Sequence, residues 1–138
     1  QRMRTDLLVN DFVLRAVRDR SLTLFEPEFR RNFIHVRDMA RAFVHDMKNW
    51  SDMRNEVYNV GLPVSWTKMG LCECIKYHLP DFQWFEAQTG RDPDRRDYVV
   101  STEKFVKTGF DYSVSVRSGI QELIKAYQML PFSEFTNL

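Results

Sequence analysis

The sequence pairs well-formed amphipathic helices with β-type runs that are too few and too short to close a sheet of their own. Leu8, Val9, Phe12, Val13, Ala16 and Val17 recur at spacings of three and four behind a cap at Thr5-Asp6, which predicts a helix to about Arg18. Residues 21–25 (SLTLF) read as a short strand, broken by Glu26-Pro27-Glu28, and residues 32–36 (NFIHV) read as a second. In the next helix Asp38 sits in the first turn, where a carboxylate complements the helix dipole, and Met39, Ala40, Phe43, Val44 and Met47 form the expected buried face. Residues 56–60 (EVYNV) read as a strand ending at Gly61. Thr67 caps a helix through about His78, with Leu71, Ile75 and Leu79 inward and Pro80 as its stop. Residues 82–87 (FQWFEA) alternate like a strand, and residues 90–97 (GRDPDRRD) form a charged loop. Residues 98–100 are extended, Ser101 or Thr102 caps a short helix ending at Gly109, and Ser115 caps a last helix with Ile120, Leu123, Ile124 and Tyr127 inward. The tail after Pro131 is expected to be loosely held.

A strand as apolar as residues 56–60 wants neighbours on both faces and both edges. The chain offers few candidates, so part of a sheet is expected to lie outside it. The length of 138 residues suits one domain, and 43% hydrophobic with 28% charged residues makes it globular. A formal charge of +1 supplies no concentrated basic field, which argues against nucleic acid or an anionic membrane as partner. No apolar run approaches the roughly 20 residues that span a bilayer. Cys72 and Cys74, two apart on a helix, point in different directions and cannot form a good disulfide. A reducing, cytoplasmic setting is expected. The chain opens without Met and without a signal peptide and runs straight into a helical pattern, so its N-terminus reads as a cut.

Four blocks, in order, then carry a resemblance. Residues 33–42 (FIHVRDMARA) are very similar to the FIHVxDxARA stretch of nucleotide-sugar epimerases and dehydratases, which are extended short-chain dehydrogenase/reductases. Residues 22–25 resemble the short strand that precedes it. Residues 56–61 (EVYNVG) match the family's YNVG strand end, and residues 91–101 (RDPDRRDYVVS) resemble its late loop. A helix with Lys104, the pair Gly109-Phe110 and a final helix with Gly119-Ile120 follow as in the family. The chain departs from the pattern between Phe25 and Arg31, where the usual glycines are replaced by EPEFR. The resemblance implies an α/β fold: the C-terminal, substrate-binding half (residues 1–138) of a Rossmann-type extended short-chain dehydrogenase/reductase, with helices, a few short strands and no N-terminal cofactor-binding half.

It also implies NAD or NADP in the parent enzyme, which would take a hydride from a sugar carbon while a tyrosine takes the hydroxyl proton. The family's glycine-rich turn lets the backbone approach the dinucleotide pyrophosphate. Here the glycines at 61, 70, 90, 109 and 119 are too dispersed to form one. The family's Tyr-x-x-x-Lys pair is absent as well. Tyr58, Tyr77, Tyr98, Tyr112 and Tyr127 are followed four residues on by Leu62, Asp81, Thr102, Val116 and Pro131. No catalytic and no cofactor-binding residue is therefore expected in this chain.

Binding residues are a different matter. A sugar nucleotide needs its diphosphate neutralised, which suits the planar fork of arginine, and its ribose hydroxyls held, which suits a carboxylate. The resemblance places an arginine just before the FIHV block, here Arg31, and an Arg-x-x-Asp pair in the late loop, here Arg91 and Asp94. The two arginines would clamp the diphosphate while Asp94 accepts a ribose hydroxyl. Of Arg95 and Arg96, one is expected to pair with Asp92 or Asp97, and Arg96 is favoured as the inward member. Asn10 lies on the polar side of the helix that borders the nucleotide in the resembling enzymes. Phe25 occupies a position often held by a tyrosine that lines the base or ribose pocket. The plainer readings stand beside these: solvated surface charges for the arginines and Asp94, a solvent-facing Asn10 and a core Phe25. Asn59 is expected to satisfy backbone groups at a strand end, His35 to be packed and hydrogen-bonded, and His45 and His78 to lie on helix surfaces. No His/Cys/Asp/Glu set has metal-ligand spacing, so no metal site is expected, and nothing suggests a serine or cysteine nucleophile.

Two functions follow as expectations. The first is the nucleotide-sugar-binding portion of an NAD(P)-dependent epimerase, dehydratase or C4 oxidase, inactive alone. The second is a stand-alone module that binds a nucleoside-diphosphate sugar or another partner without catalysis. In either case apolar faces on the first two helices and on residues 56–60 would be exposed, so a homo-oligomer is expected.

Overall fold

A computed structural model describes residues 4–90, 92 and 96–130. It is a mixed α/β arrangement of helices with a few short strands, built on two clusters of buried side chains.

The larger cluster collects the inward faces of α1 (Leu8–Arg18), α4 (Lys68–His78) and α6 (Val116–Met129) over a parallel pair, β1 (Ser21–Leu24) and β4 (Gln83–Glu86). The period of two in β1 sends Leu22 and Leu24 into this core and leaves Ser21 and Thr23 exposed. Phe12, Val13 and Ala16 of α1 meet Ile120, Ile124 and Tyr127 of α6 within the same cluster, as their spacing predicts. Thr67 caps α4 by accepting from the Gly70 N–H at 2.9 Å, and Ser115 caps α6 by accepting from the Ser118 N–H at 3.1 Å, both as expected. The cap expected at Thr5-Asp6 is different. Leu7 is the N-cap of α1 and has no side-chain acceptor to offer, while Asp6 binds the guanidinium of Arg4 at 2.7 Å. Cys72 and Cys74 are both buried and free, and burial pushes the Cys72 thiol up to about 12.

The smaller cluster joins Ala42 of α2 (Val36–Lys48), Met53 of α3 (Trp50–Met53) and Phe105 of α5 (Glu103–Val106) to Phe110. Three expectations fail here. Residues 32–36 are not a strand: pairing stops at Asn32, and His35 caps α2 by accepting from the Arg37 N–H at 3.2 Å. Residues 56–60 form no strand, because no described segment offers them a ladder, and Val57 is 84% exposed. On α2 it is Asp38 and Ala42 that are buried, while Phe43, Val44 and Met47 of the expected inner face are exposed. His45 is not a surface residue either. Its Nε2 lies 2.9 Å from the Thr108 hydroxyl and its ring stands edge-on to Phe105 and Phe110. His78 is half-buried, edge-on to Tyr77.

Asp38 is wholly buried and joins the two clusters. Its carboxylate accepts from the Ser113 N–H at 3.0 Å, the Ser113 hydroxyl at 2.7 Å, the Val114 N–H at 2.9 Å and the Arg41 guanidinium at 2.6 Å. Burial raises its pKa. The bonds from the Ser113 hydroxyl, the Val114 N–H, Arg41 and the Ser113 N–H outweigh burial and bring it from the usual 3.8 to about 2. A depressed carboxylate contributes stability that is present above its unfolded pKa and lost as pH falls through its folded one. In urea melts between pH 6 and pH 2, the chain is therefore expected to lose about 2 kcal/mol through Asp38, mostly below pH 4. Asp38→Asn should start less stable and lose correspondingly less over that interval. Parallel pH profiles for the two chains would remove Asp38 from this role.

Candidate functional site

The site is built where two short strands turn into a helix. β2 (Arg30–Asn32) pairs antiparallel with β3 (Ser65–Thr67), placing Arg31 opposite Trp66. β3 runs straight into α4, whose first N–H groups lack intrahelical partners. The loop 25–29, which holds most of the EPEFR departure at residues 26–30, wraps that helix end and supplies them. The Phe29 carbonyl accepts from the Lys68 N–H at 3.2 Å and the Pro27 carbonyl from the Met69 N–H at 3.0 Å.

The charged late loop lies against this loop at both ends. Gly90, with φ +96°, has its Cα against the Phe25 ring, and an added Cβ would stand 2.9 Å from Phe25 Cε1. The position therefore needs glycine for its backbone and for its space. At the other end the Arg30 N–H donates to Asp97 at 2.8 Å, and the Tyr98 N–H donates to the Arg30 carbonyl at 3.2 Å. Arg31 is buried at 6% exposure, with its guanidinium over the Tyr98 ring at 5.1 Å and one N–H on the Arg30 carbonyl at 3.1 Å. Beside it opens a cleft of about 290 Å³ bordered by Asn32, Phe33, Tyr58, Asn59, Tyr98 and Thr102. Asn32 fixes one wall, accepting from the Val100 N–H at 2.8 Å and donating to the Leu62 carbonyl at 3.0 Å. Asn59 donates to the Ser101 carbonyl at 3.2 Å, in keeping with its expected backbone role.

Of the predicted binding residues, Phe25 lies against one end of the late loop, at Gly90, and Arg31 against Tyr98, just past its other end. Arg91 and Asp94 lie outside the described residues. Arg96 is exposed. Asn10 sits between α1 and α6, where its amide donates to the Arg4 carbonyl at 2.8 Å and its own carbonyl accepts from the Tyr127 hydroxyl at 3.3 Å. Two residues of this contact, Lys68 and Glu26, were not predicted. Lys68 is buried at the start of α4, its Nζ donating to the Phe25 carbonyl at 2.9 Å and to Asp92 at 2.6 Å. Glu26, at φ +44°, accepts from the Asp92 N–H at 3.1 Å. The sequence did hold a signal: a lysine directly after a helix cap opposes the helix dipole and has to be explained by something else.

The end of α4, a helix that follows directly on a strand, is not open to a dinucleotide pyrophosphate: the N–H groups of Lys68, Met69 and Gly70 are already taken by Phe29, Pro27 and Thr67. No group of three or more metal-ligating side chains occurs among the described residues, and none of the described helices is long and apolar enough to cross a membrane.

Comparison with known proteins agrees with this geometry. Residues 4–61 match the profile of the NAD dependent epimerase/dehydratase family. Among solved structures, the chain is similar to an NAD dependent NDP-hexosamine 5,6-dehydratase of tunicamycin biosynthesis, with a TM-score of 0.75 at 17% identity over 95% of this chain and 42% of that one. It is similar to the ADP-L-glycero-D-manno-heptose-6-epimerase of Helicobacter pylori, with a TM-score of 0.73 at 22% identity over 89% of this chain and 38% of that one. It is also similar to the L-threonine dehydrogenase of Clostridium difficile, with a TM-score of 0.74 at 14% identity over 88% of this chain and 40% of that one. The chain therefore spans about two fifths of the length of the structures it matches. Residues 4–61 thus match the profile of the NAD dependent epimerase/dehydratase family, and nearly all of the chain shares the fold of these dehydratases, epimerases and dehydrogenases.

Proposed function

We propose that this chain forms the nucleotide-sugar-binding part of an NAD(P)-dependent epimerase or dehydratase, and that Arg31, Arg91 and Asp94 hold the nucleoside diphosphate. One observation carries the reading. The loop leading to Arg31 and the loop containing Arg91 and Asp94 in sequence are tied together at Phe25–Gly90, at Glu26–Asp92 and at Arg30–Asp97. Substrate class does not follow from fold, because an L-threonine dehydrogenase shares it. The arginines favour an anion: Arg30, Arg31 and Arg96 flank this contact, and Arg91 and Arg95 belong to the same loop in sequence. In this reading the chain's contribution is positioning: a clamped diphosphate fixes where the sugar carbon sits. NAD(P), which would accept the hydride, and the proton-transferring tyrosine belong to the rest of the enzyme.

The reading is tested by titrating the chain with UDP-, GDP-, CDP- and dTDP-sugars in a calorimeter. At least one should bind, and Arg31→Ala and Arg91→Ala should each weaken it about tenfold or more, the worth of one charge-assisted hydrogen bond. The same mixtures with NAD should show no turnover. Absence of binding across the panel would sink the proposal, and robust turnover would sink its division of labour.

A second expectation concerns assembly. Val36, Phe43, Met47 and Trp50 are all more than half exposed on α2 and α3, and contiguous apolar surface of this kind favours self-association. Sedimentation is expected to show a dimer or larger species that Phe43→Ser with Met47→Lys shifts towards monomer. A monomeric wild-type chain would contradict this.

A further inference from the structure

Lys68 is only 1% exposed, in the first turn of α4. Burying an ammonium group is expensive unless it is paired and hydrogen-bonded, and this one also opposes the helix dipole. An apolar side chain would fill the same space at lower cost, so the cation calls for a reason beyond packing. Its contacts supply one. Nζ donates to the Phe25 carbonyl at 2.9 Å and to Asp92 at 2.6 Å, lies 3.9 Å from Glu26, and stands 5.6 Å from the centre of the Phe29 ring. Every one of these partners belongs to one of two loops: 25–29, which leads into Arg31, or the late loop, where Asp92 adjoins Arg91 and precedes Asp94 by two residues. Glu26 completes the tie by accepting from the Asp92 N–H at 3.1 Å while held at φ +44°. That left-handed backbone is unfavourable for a side-chain-bearing residue and persists only when its surroundings fix it.

We infer that Lys68 is a positioning residue of the proposed nucleoside-diphosphate site: its buried cation ties the loop that leads into Arg31 to the late loop at Asp92, and so sets how an anionic ligand is met. Lys68 does not itself touch the ligand. Its Nζ is enclosed by the loops, and its charge is balanced by Glu26 and Asp92. The inference rests on the proposed nucleotide-sugar reading.

The test compares the full chain with Lys68→Met, Lys68→Arg and Asp92→Asn. Each is titrated with UDP-glucose, GDP-mannose, CDP-glucose and dTDP-glucose and followed by backbone amide exchange. Lys68→Met is expected to fold, to weaken binding tenfold or more, and to speed exchange tenfold or more in residues 25–29 and 96–98 but not in α6. Lys68→Arg should recover part of the binding, which a role as apolar filler would not require. Should Lys68→Met fail to fold, Asp92→Asn breaks the same tie from the half-buried loop side and is expected to show the same two effects. Wild-type binding that is unchanged in the folded variants overturns the positioning role and leaves the nucleotide-sugar reading standing. Failure of the wild-type chain to bind any of the four overturns that reading, and the inference with it.

Discussion

The carboxylate of Asp38 is the interaction on which the rest of the fold depends. It sits in the first turn of α2 and collects two backbone N–H groups and a hydroxyl from Ser113 and Val114, just before α6 begins. Phe110, a few residues earlier, belongs to the small aromatic cluster, while Val116 and Ile120 belong to the large core. Asp38 therefore joins two hydrophobic units that share no large interface of their own. His35 strengthens the same junction from the helix cap, with its Nε2 3.3 Å from Glu122 of α6. A wholly buried charge survives here because four hydrogen bonds hold it, and because a helix N-terminus favours an anion.

Lys68 is a second buried charge. Asp38 agrees with its helix dipole, whereas Lys68 works against its own. The first is satisfied by two backbone N–H groups, a hydroxyl and a guanidinium, and the second by two carboxylates and a carbonyl drawn from separate loops. One arrangement secures the scaffold. The other gathers the surface loops on which a ligand clamp would depend, and it does so by desolvating a charge that only those loops can compensate.

The exposed face of α2 and the unpaired segment 56–60 have a common cause. Phe43, Val44 and Met47 follow helical spacing, and EVYNV has strand character, yet the described residues leave that helix face exposed and pair no strand with the segment. Sequence periodicity reports which face is apolar; it does not report what will cover it. The same limit explains His45: its position on α2 reads as exposed until Phe105 and Phe110 fold over it from a distant segment.

Much was legible in the residues themselves. Helix boundaries at α1, α4 and α6 follow from apolar spacing and from the caps Thr67 and Ser115, all of which are local effects. The family blocks likewise follow from residue order, and they marked Arg31 and Phe25 before any geometry was known. The sequence could not show that FIHV ends a strand instead of forming one, because that depends on which segment pairs with Arg30–Asn32. Nor could it show that Lys68 is buried or that it meets Asp92, since a lysine's environment is set by distant loops and lysine is ordinarily solvated. Local propensity and order settled the helices; contacts between residues far apart in the chain settled where the charges went, because only those contacts can balance the cost of taking a charge out of water.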